Sequence, residues 1–241
     1  MKLRIAAALA ALAAGTSALA GPPYLTDDPS PTDTAHLEIY AFAAAEGRHS
    51  TVDADAGLDL NYGAVKGVQL TATLPLNFSN EPEEGWRGDT GDVELAVKYR
   101  FIDDDNHGFS AAVFPRAILP TSGLDDHGRA RFLLPLWLQK DFAGGTSLFG
   151  GGGYEINPGP GNRNFWQAGV AVTHDLSDRL SVGAEITHQG ADTTDGTAQT
   201  RAGLGSILKL SDRYALLVSG GPTWADHQTS YHVYAALGLF F

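Results

Sequence analysis

The sequence predicts an all-β fold: an antiparallel transmembrane β-barrel of about 12 strands, preceded by an N-terminal signal peptide. Three observations predict it. The chain begins with a leader-like segment, most of it then alternates between apolar and polar residues, and its last alternating segment ends in a terminal phenylalanine. Alternation with period two is typical of strands that have one apolar face and one polar face.

The first 20 residues have the order of a secretory signal peptide. Basic Lys2 and Arg4 are followed by an apolar run over residues 5–14, and small residues close the segment at Ala18 and Ala20. This order of charge, apolar core and small residues is typical of a cleaved leader. The run is too short to span a membrane as a helix, which needs about 20 residues. We therefore predict a signal peptide over 1–20, an extended proline-rich segment over 21–34 and a barrel over 35–241.

Composition excludes several other classes of protein. The chain has 241 residues, no cysteine and a formal net charge of −12. Such a charge argues against nucleic acid as a partner. Without cysteine, neither disulfides nor thiolate-bound zinc can hold the fold together. A soluble periplasmic protein and a membrane-spanning barrel are the two classes that remain, and only a closed barrel pairs every backbone group of an all-β chain in hydrocarbon.

Twelve segments of the chain alternate between apolar and polar residues. Most have about ten residues or more, which is the length of a tilted transmembrane strand, whereas globular strands average about five or six. In the segment that follows residue 91, this parity places Leu95 against lipid and Ala96 in a polar interior. We predict strands near residues 35–44, 53–62, 66–78, 91–102, 107–119, 129–141, 146–156, 163–174, 179–189, 198–210, 213–221 and 229–241.

The connections between these segments are also sorted by length. Short turns are predicted near residues 63–67, 103–108, 141–146, 175–179 and 210–213. The intervening connections are mostly longer, and they lie near residues 79–89, 120–128, 157–162, 189–197 and 222–228. Short turns at one end and longer loops at the other are typical of outer-membrane barrels. With an even number of strands, both termini lie at the short-turn, periplasmic end.

The start of the predicted mature chain resembles a known family. Residues 21–31 read Gly-Pro-Pro-Tyr-Leu-Thr-Asp-Asp-Pro-Ser-Pro, and His36-Leu37-Glu38 begin the first strand. This resembles the transporter-like outer-membrane family labelled meta-pathway of phenol degradation, in which tryptophan is commoner where Leu37 stands. The resemblance implies an outer-membrane barrel that acts as a channel or transporter, without naming its solute. The residues of this N-terminal motif are Pro22, Pro23, Thr26, Asp27, Asp28 and Pro29.

The proline-rich segment should be extended, and two interpretations of it remain open. In one, it folds into the lumen and narrows it, with Asp27 and Asp28 meeting inward-facing arginines. In the other, it is a periplasmic tail below the barrel. A barrel interior of this size is compatible with either, because such interiors are found both plugged and open.

Parity directs a set of charged side chains into the lumen. Arg100, Arg116 and Arg131 come from three successive strands and would form a basic wall that guides anionic solutes. The alternative is an interior in which charges pair with one another, because buried charges must have partners. Many inward positions are glycine, which permits close approach and tight curvature. The other inward charges are Glu38, Asp59, Glu94, Lys98, Glu155, Glu185 and Arg201.

These patterns predict a narrow channel or transporter in the cell outer membrane for small, aromatic or anionic solutes. A non-conducting structural barrel is the alternative, and an outer-membrane hydrolase is a weaker one, since neither a G-x-S-x-G nor an HExxH motif is present. We therefore expect no enzyme activity, no cofactor and no metal. The expected partners are outer-membrane lipids and lipopolysaccharide, the outer-membrane assembly machinery and a small-molecule solute.

The C-terminal strand yields a prediction about assembly. Tyr231, Val233, Leu237 and Phe241 share one parity, and this pattern resembles the last-strand signal that the assembly machinery reads. Deleting Phe241 should lower the yield of folded protein, while the molecules that do fold behave normally. The measurement is the fraction in outer membranes that runs faster on gels unboiled than boiled, with Phe241→Tyr as the control. Normal assembly of the truncated chain contradicts this interpretation.

Overall fold

The computed structural model describes residues 23–48, 51–82, 85–122 and 128–241. The predicted signal peptide and Pro22 lie outside these ranges. Within them, no helix is long and apolar enough to cross a membrane. The ordered elements in the described ranges are strands.

The strands form one closed, antiparallel barrel of 12 strands. Two of the 12 are interrupted, so each of these consists of two shorter segments that follow one another along the same path. The strands are β1 (Leu37–Arg48), β2 (Thr51–Val65), β3 (Val68–Glu81), β4 (Gly85–Thr90 and Val93–Asp104), β5 (Phe109–Val113 and Arg116–Leu119), β6 (Arg131–Phe142), β7 (Thr146–Ile156), β8 (Phe165–Ser177), β9 (Leu180–Gln189), β10 (Gln199–Ser211), β11 (Tyr214–Ala225) and β12 (Gln228–Phe240).

The two ends of the chain close the barrel. β1 pairs with β12 from Glu38 opposite Phe240 to Gly47 opposite Tyr231. The seam ends at Leu37 and Phe241, whose backbone groups exchange hydrogen bonds of 3.0 and 2.9 Å. Closure removes sheet edges and pairs backbone groups that lipid cannot hydrate. The terminal phenylalanine that the sequence singled out therefore lies at the seam of the barrel.

The two interruptions lie at a glycine and at a proline. β4 breaks at Gly91, where an added Cβ would lie 2.3 Å from the Asn77 side-chain oxygen. β5 breaks at Pro115, which has no N–H to donate to a neighbouring strand. Pairing continues across this second break, because the Val97 N–H donates to the Pro115 carbonyl at 3.1 Å. The wall is therefore continuous although the strands are not.

The outer surface is apolar around the barrel, as the parity of the strands predicts. The side chains at the alternating apolar positions are exposed, and polar side chains point inward between them. A barrel with this distribution places its apolar face in lipid and its polar face in the lumen. The fold is therefore that of an outer-membrane β-barrel. The outward residues include Leu70, Leu74, Leu76, Leu95, Val97, Leu134, Leu136, Leu138, Val170, Val172, Ile186, Leu204, Leu216, Val218, Val233 and Leu237.

Two connections are shorter than the sequence predicts. β3 extends to Glu81 and β4 begins at Gly85, and Ala225 and Gln228 are joined by only two residues. The latter are Asp226 and His227, with φ of 46° and 58°. Two positive φ values make a tight hairpin turn, for which Asn-Gly is the usual sequence. The expectation of long loops here was wrong because polar lumen-facing residues at strand ends resemble loop residues.

The environment of Ala96 also differs from the prediction. Its inward parity is confirmed, but it is buried against Phe114 and Trp137 in an apolar cluster. The expectation of a polar interior at this position was wrong, because two aromatic rings on β5 and β6 fill this part of the lumen. A charged side chain at residue 96 would displace those rings.

Leu95→Arg should lower the free energy of unfolding much more than an arginine introduced on the lumen side of a neighbouring strand. Leu95 is 47% exposed on the outer face, and arginine near the bilayer midplane costs about 2–4 kcal/mol. Thr73→Arg is the matched control, because Thr73 lies between Asp59 and Glu94 on adjacent strands. Equilibrium unfolding in lipid vesicles measures both free energies. Equal costs for the two variants contradict the assignment of faces.

Candidate functional site

Residues 23–34, here called the N-terminal segment, run through the interior of the barrel. The segment leaves β1 at the short-turn end, where Thr34 forms a parallel bridge with Gly63. Higher in the lumen, the backbone N–H and hydroxyl of Thr32 donate to Gln69 at 2.7 and 3.1 Å. Thr26 and Thr32 are buried. The segment is therefore held by wall side chains.

Asp27 is the electrostatic anchor of the segment. Its carboxylate lies 2.9 Å from the Lys98 ammonium and 3.0 Å from the Arg116 guanidinium. Lys98 also donates to the backbone oxygens of Asp28 and Ser30, at 2.9 and 3.3 Å. The Lys98 side chain is 2% exposed, and a charge so buried requires this set of partners. Asp27 therefore attaches the segment to β4 and β5.

The rest of the motif shapes the chain around this anchor. The Asp27 side chain accepts a hydrogen bond from the Asp28 N–H at 2.8 Å, and Asp28 accepts one from the Ser30 N–H at 2.6 Å. Short aspartate side chains commonly satisfy nearby backbone donors in turns in this way. Pro29 is buried and needs no donor partner of its own. Consecutive aspartates and a proline thus build a compact turn inside the lumen.

Glu185 anchors the segment to the opposite wall. It lies on β9 and accepts hydrogen bonds from the Thr26 N–H and hydroxyl, both at 2.9 Å, and from the Leu25 N–H at 3.0 Å. Thr26 and Asp27 are adjacent in sequence, yet they bind opposite walls. The segment therefore spans the width of the lumen.

Three glycines on β8, β9 and β10 make a groove for the segment. We call Gly169, Gly183 and Gly205 the glycine groove. An added Cβ at these positions would lie 2.4 Å from the Thr26 hydroxyl, 2.5 Å from the Tyr24 hydroxyl and 2.6 Å from the Tyr24 ring, respectively. The close approach of the segment thus requires residues without a side chain.

Tyr24 is the side chain that fills this groove. Its ring lies 6.3 Å from that of Phe149, measured between centroids. Burial, followed by the nearby Glu185 carboxylate, raises the pKa of Tyr24 to about 12. The residue is therefore a neutral phenol at physiological pH. It holds the segment through shape and apolar contact, whereas Asp27 holds it through charge.

The other predicted lumen arginines are all paired. Arg131 lies 3.2 Å from Asp92 and 3.3 Å from Glu155, and Arg201 lies 2.9 Å from Glu46. Arg116 reaches Glu94 at 3.2 Å in addition to Asp27, while Arg100 pairs with Asp103 at 2.9 Å near a short turn. The structure thus brings Arg100, Arg116 and Arg131 into separate ion pairs and does not join them into one unpaired basic wall.

The N-terminal segment separates two chambers of about 620 Å³ each that described residues line. The long-loop chamber is lined by the ends of β1, β2, β10 and β12, and the short-turn chamber by β6–β10 near the turns that follow residues 142 and 177. Pro23 and Tyr24 line both chambers. The Pro23 carbonyl also accepts a hydrogen bond from the Ser219 hydroxyl. These two residues are therefore a partition between the chambers.

Sequence reasoning missed several residues of this site. Glu46 lies at the inward parity of β1, as Glu38 does, so alternation contained the signal. Asp92, which binds Arg131, lies at the break in β4, where parity is lost. Tyr24 belongs to the N-terminal motif, but nothing in a linear pattern pairs it with Gly183 and Gly205. In the described ranges, no group of three or more acidic, histidine or cysteine side chains is arranged to hold a metal.

Comparisons with known proteins identify the fold. No protein-family model and no curated protein match the sequence. An outer membrane channel from Pseudomonas putida F1 matches with a TM-score of 0.72 and 12% identity, covering 89% of this chain and 98% of that one. The NanC porin matches at 0.59 and 10%, covering 83% and 98%. The translocator domain of the autotransporter NalP from Neisseria meningitidis matches at 0.54 and 15%, covering 86% and 89%. At such identities, the likeness establishes the barrel fold.

The glycine groove generates a test with a matched control on one strand. Gly205→Ala should displace Tyr24, because the new methyl group overlaps its ring, and chymotrypsin should then cleave after Tyr24 several times faster in detergent. Gly203→Ala, which meets its nearest atom at 3.4 Å, should leave the rate unchanged. Equal cleavage of both variants contradicts the docking of Tyr24 in this groove.

Proposed function

We propose that this protein is a narrow channel for small solutes in the outer membrane, and that the N-terminal segment restricts its bore. The observation that carries the proposal is the pair of chambers of about 620 Å³, one on each side of the Pro23–Tyr24 partition. Each has the volume of an ordinary small-ligand site. A solute that passes this partition passes the barrel.

The number of strands agrees with a narrow lumen. Eight strands enclose a space that side chains fill, and 16–18 strands enclose an open aqueous pore. Twelve strands lie between these limits, so one extended segment is enough to narrow the lumen. The fold alone does not decide the function, since its structural neighbours include both channels and an autotransporter domain. The divided, water-accessible lumen favours the channel.

The N-terminal motif supports a finer proposal about family. The residues that resemble the phenol-degradation family are the ones that build the partition: Thr26 binds Glu185, Asp27 binds Lys98 and Arg116, and Pro29 is buried. We infer that the motif is retained for this task, and that related channels are narrowed in the same way. Growth and uptake assays on aromatic compounds with a deletion strain test whether the solute is aromatic. Lipopolysaccharide and the outer-membrane assembly machinery are the partners expected of such a barrel.

Removing part of the segment should widen the pore. In planar bilayers, the intact protein should give small conductance steps, and deletion of residues 23–30 should raise the step size severalfold, because it removes the Pro23–Tyr24 partition and the Asp27 anchor. The deletion retains Thr32 and Thr34, which bind the wall near the short turns.

The control for this deletion keeps the segment and changes a residue outside the lumen. Leu204→Ala shortens a lipid-facing side chain that is 72% exposed, and it should leave the conductance unchanged. An absence of conductance from both the intact and the shortened chain overturns the channel. A non-conducting structural barrel is then the better description.

A further inference from the structure

The long-loop chamber contains carboxylates that the described part of the chain does not neutralise. Glu46 is paired with Arg201, and Glu185 accepts its hydrogen bonds from the N-terminal segment. Asp53 and Asp55 also line the chamber and are exposed to it. Neither makes a hydrogen bond or an ion pair with any described residue. The chamber therefore has an excess of negative charge.

The strand register places an aromatic ring beside these carboxylates. Tyr234 lies opposite Ala44, and Ala44 lies opposite Asp55, so the three form one row across β12, β1 and β2. Adjacent strands are about 4.8 Å apart, so the Cα atoms of Tyr234 and Asp55, two strands apart, are separated by about 10 Å. The alanine methyl between them leaves a recess in the wall. In the next row, Asp53 lies opposite Glu46.

The aromatic side of this recess is held in place. The Tyr234 ring stacks on that of Phe42, with centroids 6.4 Å apart and planes 13° apart. Tyr24 contributes a second aromatic side chain at the floor of the chamber. Aromatic faces carry negative electrostatic potential and attract organic cations. The two carboxylates that no described residue neutralises and the fixed ring therefore both favour a positively charged ligand.

We propose that the long-loop chamber binds small organic cations, amines or quaternary ammonium compounds, between Asp53, Asp55 and Tyr234. A bare metal ion fits less well, since no described group of three or more suitable ligands is present. An anion would face Asp53 and Asp55, while Arg201, the chamber's described guanidinium, is already bound to Glu46. As the solute class of the channel, this inference rests on the function proposed above; the binding itself does not require conduction.

The positions of Asp53 and Asp55 explain why the long-loop chamber differs from the basic wall that the lumen arginines were expected to form. Each of four lumen arginines lies 2.9–3.2 Å from a carboxylate, so their fields cancel locally: Arg100, Arg116, Arg131 and Arg201. Charges without a partner set the field that a solute meets, and low-dielectric walls concentrate it. In the long-loop chamber, the charges for which the described residues offer no partner are those of Asp53 and Asp55, and they are negative. An entering organic cation is therefore concentrated there before it reaches the Tyr24 partition.

Binding is tested with three probes on the purified full chain in neutral detergent, by ligand-observed NMR titration. Benzyltrimethylammonium should bind most tightly, tetramethylammonium more weakly, and benzoate not at all. The double variant Asp53→Asn/Asp55→Asn should weaken benzyltrimethylammonium binding about tenfold, equivalent to about 1.4 kcal/mol. Asp175→Asn/Asp178→Asn removes two charges from the short-turn chamber and should leave the affinity unchanged.

The ring is tested separately from the charges. Tyr234→Leu should remove the advantage of benzyltrimethylammonium over tetramethylammonium while weak binding of both persists. Each variant is first shown to be folded by its faster migration on unboiled gels. Binding of benzoate in preference to the cations, or equal affinity in the wild type and the Asp53→Asn/Asp55→Asn variant, overturns the site. Cation binding without any conductance overturns the channel and retains the site, whereas conductance without cation binding does the reverse.

Discussion

Backbone hydrogen bonding in hydrocarbon is the constraint on which the rest of this structure depends. Each N–H and C=O of a lipid-facing strand must find a partner in the protein, so the sheet closes on itself between β1 and β12. In the closed barrel, successive side chains of each strand point alternately outward to lipid and inward to the lumen. Apolar residues face lipid, and the charged residues within the membrane-spanning parts of the strands point into one small lumen. The ion pairs of the interior are a consequence of this geometry.

Asp27 shows how the N-terminal segment becomes part of that interior. Lys98 is almost fully buried, and without a carboxylate nearby its charge would be costly. The wall supplies Glu94 to Arg116, but the residue that contacts Lys98 and Arg116 together comes from the segment. The segment therefore completes the charge balance of the wall as well as narrowing the lumen. This is a physical reason for the segment to remain in the barrel.

The barrel could be predicted from the sequence because its governing pattern is local. Alternation in a strand such as β3 indicates which side chains face lipid. The number of alternating segments indicates the number of strands, and the terminal Phe241 marks the last one. The cluster around Ala96 could not be predicted, because parity indicates that a side chain points into the lumen but not which side chains it contacts there. The Asp226–His227 turn was missed because its residues are unusual for two positive φ values.

The candidate site was predictable only in part, for the same reason. Parity placed Arg116 and Glu185 in the lumen, and a contact of Asp27 with an inward arginine was one of two interpretations that the sequence left open. Which arginine it meets depends on the path of the segment, because Arg116 lies 89 positions after Asp27 in the sequence. The inward glycines were understood as a means of curvature, whereas Gly169, Gly183 and Gly205 make room for Thr26 and Tyr24. Contacts between remote parts of the chain leave no periodic signal.

The two attachments of the segment differ in kind, and this decides how the lumen can open. Releasing Asp27 would leave Lys98 and Arg116 as buried charges with fewer partners, which is strongly unfavourable. Releasing residues 23–25 costs the apolar contacts of Tyr24, the hydrogen bond from Ser219 to the Pro23 carbonyl and the one from the Leu25 N–H to Glu185, but Glu185 keeps its two hydrogen bonds from Thr26. Residues 23–25 therefore form the more weakly held part of the segment, and they are also the residues that separate the two chambers. In the channel proposed above, displacement of residues 23–25 alone leaves the Asp27 anchor in place, and with it the charge balance that stabilises the lumen.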